Sequence, residues 1–230
     1  MKRTYVIVLA LVLPAVTGAQ ETSRDPVVTE CMKLDTSSTW RQVARAWSID
    51  TNHSRRIEPL RRELLEMRTA DQKLRELPAI SDSMRSASFL HRMAAEDSLR
   101  GARLKQLVEK YGWPGKSIAG EDGATSAFLI VQHNGFLQGE MLELMKRQPA
   151  GEVSPADLAM LEDRFNVQQG RPQRFGSQLK SPGEKTIEYY PIEDIAGVEA
   201  RRAAAGLIPL SVYSCIIGKR FNLTVVTPQG

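Results

Sequence analysis

Apolar residues recur at helical spacing along most of the chain, and the interruptions fall on charged residues. Trp40, Val43, Ala44 and Trp47 predict a short helix from Ser37/Ser38 through Ile49, apolar along one side. Ile57, Leu60, Leu64, Met67 and Leu74 form the seam of a second helix, from about Ile57 to Leu77. Pro59 lies in its first turn and Pro78 just past its end. Asp71 occupies the seam position between Met67 and Leu74. A third, long helix runs from about Ser81/Asp82 to Tyr111, with Leu90, Ala94, Gly101, Leu104, Val108 and Tyr111 along its seam and Asp97 in a hydrophobe's place. A buried carboxylate is costly unless it is paired or hydrogen-bonded, so both acids ask for partners. Gly101 weakens the helix by about 1 kcal/mol against alanine, but lets a neighbour approach closely.

The stretch Ala124–His133 is the most apolar run after residue 19. Asp122 and Gly123 suit a helix cap before it, and Asn134-Gly135 a stop after it. Phe128, Leu129, Ile130 and Val131 point nearly all the way round, as in a helix packed on every side. His133, between the faces of Leu129 and Ile130, is expected to be at least half buried. Further helices are predicted after Gly135 to about Lys146, and from Ser154-Pro155 to Gln168 with Leu158, Leu161 and Phe165 on one side and Asp163 and Arg164 on the other, next to Met160 and Val167. The character changes at Gly170–Gln178, GRPQRFGSQ, which is polar and irregular. The Ser181-Pro182-Gly183 turn predicts a hairpin between Phe175–Leu179 and Thr186–Tyr190. Ile192–Ala205 reads as helix. Residues 210–226 are rich in β-formers and fit either a short last helix or a terminal hairpin through Gly218-Lys219. The fold class is therefore mainly α: a compact helical domain around a buried central helix, with a small β-hairpin near the C-terminus. In domain terms, residues 1–19 are a leader, 20–36 a flexible arm, 37–213 a single helical domain and 214–230 a C-terminal tail suited to β-structure.

Residues 1–19 carry the marks of a secretory signal peptide: Lys2 and Arg3, an apolar core from Tyr5 to Val16, and small residues before a cut at Gln20. The apolar core is too short for a spanning helix, so no stable membrane anchor is expected once it is cleaved. An exported protein, periplasmic or secreted, is the expectation. The formal net charge of +4 falls to +2 without Lys2 and Arg3. The basic pairs Arg55-Arg56, Arg61-Arg62 and Arg201-Arg202 have acids interleaved nearby, so they read as solvated helix faces and not as a nucleic-acid surface. Cys31 and Cys215 are the only cysteines, and pairing and non-pairing are both open; a bridge would tie the N-terminal arm to the C-terminal segment.

The candidate chemistry is a cluster of Asp71, Asp97, His133 and Gln173. A carboxylate that orients His133 makes it a general acid or base, which singles out His133 and Asp71 as candidate catalytic residues. A metal version would use the two acids and the imidazole, but no pair has metal-ligand spacing. No nucleophile motif is present, and Lys116-Ser117 does not form a phosphate loop. His53 in the DTNHS turn and His91 beside the long seam read as surface residues. The loop GRPQRFGSQ can bind a polar or anionic ligand, or it can satisfy helix ends.

The succession ADQ (Ala70–Gln72) with Arg75, YGWP (Tyr111–Pro114), IVQH (Ile130–His133), LEDR (Leu161–Arg164), GRPQRFGSQ and PIED…RRAAAGLIPL (Pro191–Leu210) resembles the bacterial domain of unknown function 6624 family, over about Ile57–Tyr213. The resemblance implies a domain identity and no reaction. It adds Gln72, Arg75, Asp97, Trp113, Asp163, Arg164, Gln173 and Gln178 as candidate ligand-binding residues. Phe175 and Ser177 stand where this family usually shows Tyr and Thr, which argues against a general acid at residue 175, and Arg100 stands where it often shows Asn. Three classes remain open: a domain that binds a small polar ligand, an exported hydrolase using His133, and a non-catalytic structural or interaction domain with a buried polar network. Nothing in the sequence names a cofactor, a substrate or an oligomeric state.

Overall fold

The computed structural model describes residues 25–48, 55–75, 87–183 and 185–228. Residues 1–19, the DTNHS turn with His53 and the expected helix start at Ser81/Asp82 lie outside the described residues. The chain divides into two compact units, residues 50–154 and the discontinuous pair 1–49 with 155–230.

Unit 50–154 is helical. The second and third seams become α3 (Glu58–Arg75) and α4 (Ala87–Tyr111), following α1 (Pro26–Cys31) and α2 (Thr39–Ser48) of the other unit. Leu60, Leu64 and Asp71 of α3 are buried, as the seam spacing requires. In α4 the seam is rotated from the expected one. Phe89, Arg100, Gly101, Leu104 and Leu107 are buried, whereas Leu90 is exposed.

The central helix α5 spans Lys116–His133, so it starts well before the expected cap at Asp122. The backbone N–H of Ser117 donates to the Glu152 carboxylate at 3.0 Å, and that of Lys116 to the Glu152 carbonyl at 3.1 Å. An acid at the positive end of the helix suits its dipole. Asp122 pairs instead with Arg61, whose Nε donates to it at 2.8 Å. Gly120, with φ at 73°, breaks the helix between its first turn and the long apolar run. Ala124, Ala127, Phe128, Leu129, Ile130 and Val131 are all buried, as expected of a helix packed on every side. Its main partner is α3, and α4 packs on it too. The helix α6 (Gln138–Lys146) closes the unit with Met141, Leu142 and Met145 inside, while Phe136 in the preceding turn is almost fully exposed.

In the other unit, α2 buries Trp40 and Trp47 at the expected spacing. The stretch before Ser37 is folded from Asp25 onward: the Asp25 carboxylate accepts from the N–H groups of Val27 and Val28 and caps α1. Helix α7 (Pro155–Gln168) leads into the hairpin β1 (Leu179–Gly183) and β2 (Thr186–Tyr189). The pairing is antiparallel with Leu179 opposite Tyr189, and Lys180 and Glu188 form a cross-strand ion pair at 3.0 Å. The first strand starts later than expected, because Phe175–Gln178 is a loop held by side chains. Ile195–Gly197 is a 3-10 turn and Val198–Ala204 is α8.

The open choice at residues 210–226 resolves into both elements: α9 (Leu210–Phe221), then β3 (Thr224–Val226) parallel to β2. Helix α9 serves two cores. Val212 and Ile216 pack with Val28, Cys31, Trp40 and Ile208; Leu210 and Ile217 pack with Leu179, Ile187, Tyr189 and Val198. Burial on both faces explains why a helix carries so many β-branched residues. Cys31 and Cys215 form a disulfide, with Cα atoms 5.7 Å apart, which fixes α1 to α9. Lys219–Glu30 at 3.0 Å and the Arg220–Asp25 pair hold the same two helices together.

Among the described residues, no helix is long and apolar enough to cross a membrane. The same residues contain no group of three or more His, Cys, Asp or Glu arranged to hold a metal ion.

Candidate functional site

Helices α3 and α5 bring Asp71 and His133 together. The Nδ1 atom of His133 lies 3.0 Å from the Asp71 carboxylate, and Asp71 has no exposed surface. Burial opposes the charged form of Asp71. The hydrogen bond and charge of His133, the Arg75 guanidinium and the Gln72 amide outweigh it and hold the carboxyl below the usual carboxylate range. An ionised carboxylate only accepts, so Nδ1 of His133 carries a proton and donates to Asp71.

Two arginines and a second acid surround this pair. Arg75 donates through Nη2 to both carboxylate oxygens of Asp97, at 2.8 Å each, and the same nitrogen lies 3.4 Å from Asp71. Arg100 donates to Asp97 at 3.1 Å and to Glu96 at 3.2 Å, and its Nε lies 3.7 Å from Asp71. The Gln72 amide donates to Asp71 at 2.8 Å. Asp71 and Asp97, on different helices and at different levels, thus belong to one network through shared guanidinium groups. Asn134 adds a bond from its amide to the Asp97 backbone carbonyl at 3.1 Å.

Asp163, Gln173 and Gln178 lie in the other unit, where they build the loop 173–178. Asp163, expected on the side of α7 away from Leu158, Leu161 and Phe165, is fully buried. Its carboxylate accepts from the N–H groups of Arg174, Phe175 and Ser177 at 2.6, 3.0 and 2.9 Å, and from the Ser177 hydroxyl at 2.9 Å. Burial pushes its carboxyl up, against the pull of these donors. The Gln173 amide nitrogen donates to the carbonyls of Gln178 and Tyr190, and its oxygen accepts from the Gln178 N–H. Arg201 donates to the Arg174 carbonyl, Arg202 to those of Phe175, Gly176 and Ile208, and the Tyr213 hydroxyl to that of Ser177. These side chains are spent on backbone. The Trp113 indole N–H is buried in unit 50–154 and meets no acceptor among the described residues. Arg164 is half-buried on α7.

A family model described as a family of unknown function (DUF6624) matches residues 58–226. The chain belongs to that family. The DUF6624 match runs from α3 to β3, beyond Tyr213, where the sequence resemblance stops, and so takes in α9 and the third strand. No curated protein and no solved structure matches the chain.

Within this DUF6624 domain the motif residues separate by role. Those of α3 to α5 meet in a charged network, and those of the GRPQRFGSQ loop brace that loop. Sequence reasoning did not place Arg100, Asn134, Arg201 or Arg202 at either centre. Arg100 carried one usable signal, its i, i+3 spacing from Asp97. Arg202 carried none, since a fully buried arginine after an arginine looks like any basic pair.

Proposed function

We propose that the protein is exported and that unit 50–154 binds a small polar ligand at the Asp71–His133 pair. The observation that carries this reading is a carboxylate with no exposure, at a helix seam position suited to a hydrophobe, bonded to an imidazole at 3.0 Å. A buried ion network stabilises a fold no better than well-packed apolar side chains of similar volume, so its place in the seam asks for another use. Exposure rises outward from the pair: the side chains of His133, Arg100, Asp97 and Arg75 are 3%, 10%, 13% and 19% exposed. A ligand approaching over Arg75 and Asp97 meets the charged edge first. The leader pattern of residues 1–19 and the Cys31–Cys215 bridge support export.

A second reading follows from the ionised Asp71. An imidazole held by a carboxylate through Nδ1 is the orienting half of a general acid–base pair, which favours a hydrolase using His133.

His133→Gln is the discriminating variant, because Asp71 holds four neighbours and its loss destabilises under any reading. Native mass spectrometry of secreted, purified protein is expected to show a mature chain starting at Gln20 and a bound small mass that is lost in His133→Gln, with a melting temperature shifted by less than about 2 °C. A drop of several degrees with no bound mass in the wild type would show that the pair only holds helices together.

A further inference from the structure

The charged groups of the Asp71 network have spent their acceptors and kept donors in reserve. Asp71 faces His133, Arg75, Arg100 and Gln72, and both oxygens of Asp97 accept from Arg75. On the cationic side the account does not close. The Nη1 atom of Arg75 is buried without a hydrogen-bond partner among the described residues, and the Nε atom of Arg100, buried too, has only the Asp71 carboxylate at 3.7 Å, beyond hydrogen-bond reach. Buried guanidinium N–H groups are costly to leave unanswered. Both belong to side chains whose other nitrogens are fixed by carboxylates, so they are held and not searching. We infer that Arg75 and Arg100 form an oxyanion site beside His133, taking a ligand that presents carboxylate or phosphate oxygens.

This inference rests on the ligand-site reading above and narrows its ligand to an anion. Two guanidinium groups beside one imidazole offer planar N–H donors, the geometry that suits carboxylate and phosphate oxygens.

The test is calorimetric titration of the mature, oxidised protein with inorganic phosphate and, separately, with acetate, each against sodium chloride at equal ionic strength. The expected result is saturable binding of at least one of the two; phosphate alone identifies a tetrahedral oxyanion and acetate alone a carboxylate. Arg75→Lys keeps a cation against Asp97 and removes the second guanidinium nitrogen, and is expected to weaken binding about tenfold or more. Arg100→Lys is the second variant should Arg75→Lys fail to fold, and Arg174→Gln on the other unit is expected to bind as the wild type does. The inference is overturned if neither anion binds saturably, or if both lysine variants bind as tightly as the wild type. A neutral bound mass lost in His133→Gln, with no anion binding, removes the oxyanion site and leaves the ligand-site reading standing.

Discussion

The imidazole of His133 and the carboxylate of Asp71 are joined at 3.0 Å across two helices, and the carboxylate is sealed from solvent. The bond makes the charge of Asp71 part of the folded structure.

The pH dependence of unit 50–154 follows from that charge. Asp71 and Asp122 both have carboxyls held below the usual range; burial opposes this, and the His133 bond in one case and the Arg61 bonds in the other outweigh it. A carboxyl depressed in the folded state contributes stability that is complete above its unfolded pKa and is lost as pH falls through the folded value. Urea midpoints followed by Trp113 fluorescence, with Trp40 and Trp47 replaced by Phe, should therefore fall from pH 6 to pH 3. The fall should be shallower in Asp71→Asn. Asp163 carries the opposite sign: its carboxyl is raised, so its contribution is full in acid and declines as pH rises through the folded value. An equal acid slope in the wild type and in Asp71→Asn would contradict the assignment.

Asp163→Ala should cost about 3 kcal/mol or more, because it takes the acceptor from the N–H groups of Arg174, Phe175 and Ser177 together. Amide hydrogen exchange should accelerate at these three residues first. Protection unchanged across 173–178 would show that Gln173, Arg201 and Arg202 suffice to hold the loop.

Gly101→Ala should destabilise although alanine is the better helix former. A Cβ at residue 101 would overlap the Asn134 amide, and it would lie 3.2 Å from Leu137. Asn134 cannot simply turn away, because it is buried and bonded to the Asp97 carbonyl. Overpacking of this kind costs about 1–3 kcal/mol, against a gain of about 1 kcal/mol in helix propensity. A melting temperature equal to or above that of the wild type would refute the close contact.

Replacing Cys31 and Cys215 by serine should lower stability by about 5 kcal/mol in the chain-entropy account, since the bridge joins residues 184 apart. The loss should register in the fluorescence of Trp40, which packs in the same core as Cys31. A denaturation curve that leaves Trp40 untouched would show that Lys219–Glu30 and Arg220–Asp25 hold α1 without the bridge.

The elements legible in the sequence were those set by local spacing. The seam of α3 placed Asp71 inside, and the all-round apolar run of α5 placed His133 at the end of a buried helix. The rotation of α4 was not legible. It depends on which residue meets the 134–137 turn, and Gly101, the residue that permits the contact, gave the only hint. The role of Asp163 was not legible because its partners lie 11 to 14 residues downstream in a loop without periodicity. Gln173 was grouped with Asp71 by residue type, although its amide is committed to its own loop. The α9 helix was obscured by the β-branched residues that its two cores require.

The disulfide and the discontinuous unit together impose an order on synthesis. Residues 50–154 have all their internal contacts within one continuous stretch, so they can fold while the rest of the chain is still emerging. The unit built from residues 25–48 and 155–228 cannot close until Cys215, 184 residues after Cys31, has arrived. Until then Cys31 waits as a thiol, and the bridge records that α1 and α9 have met.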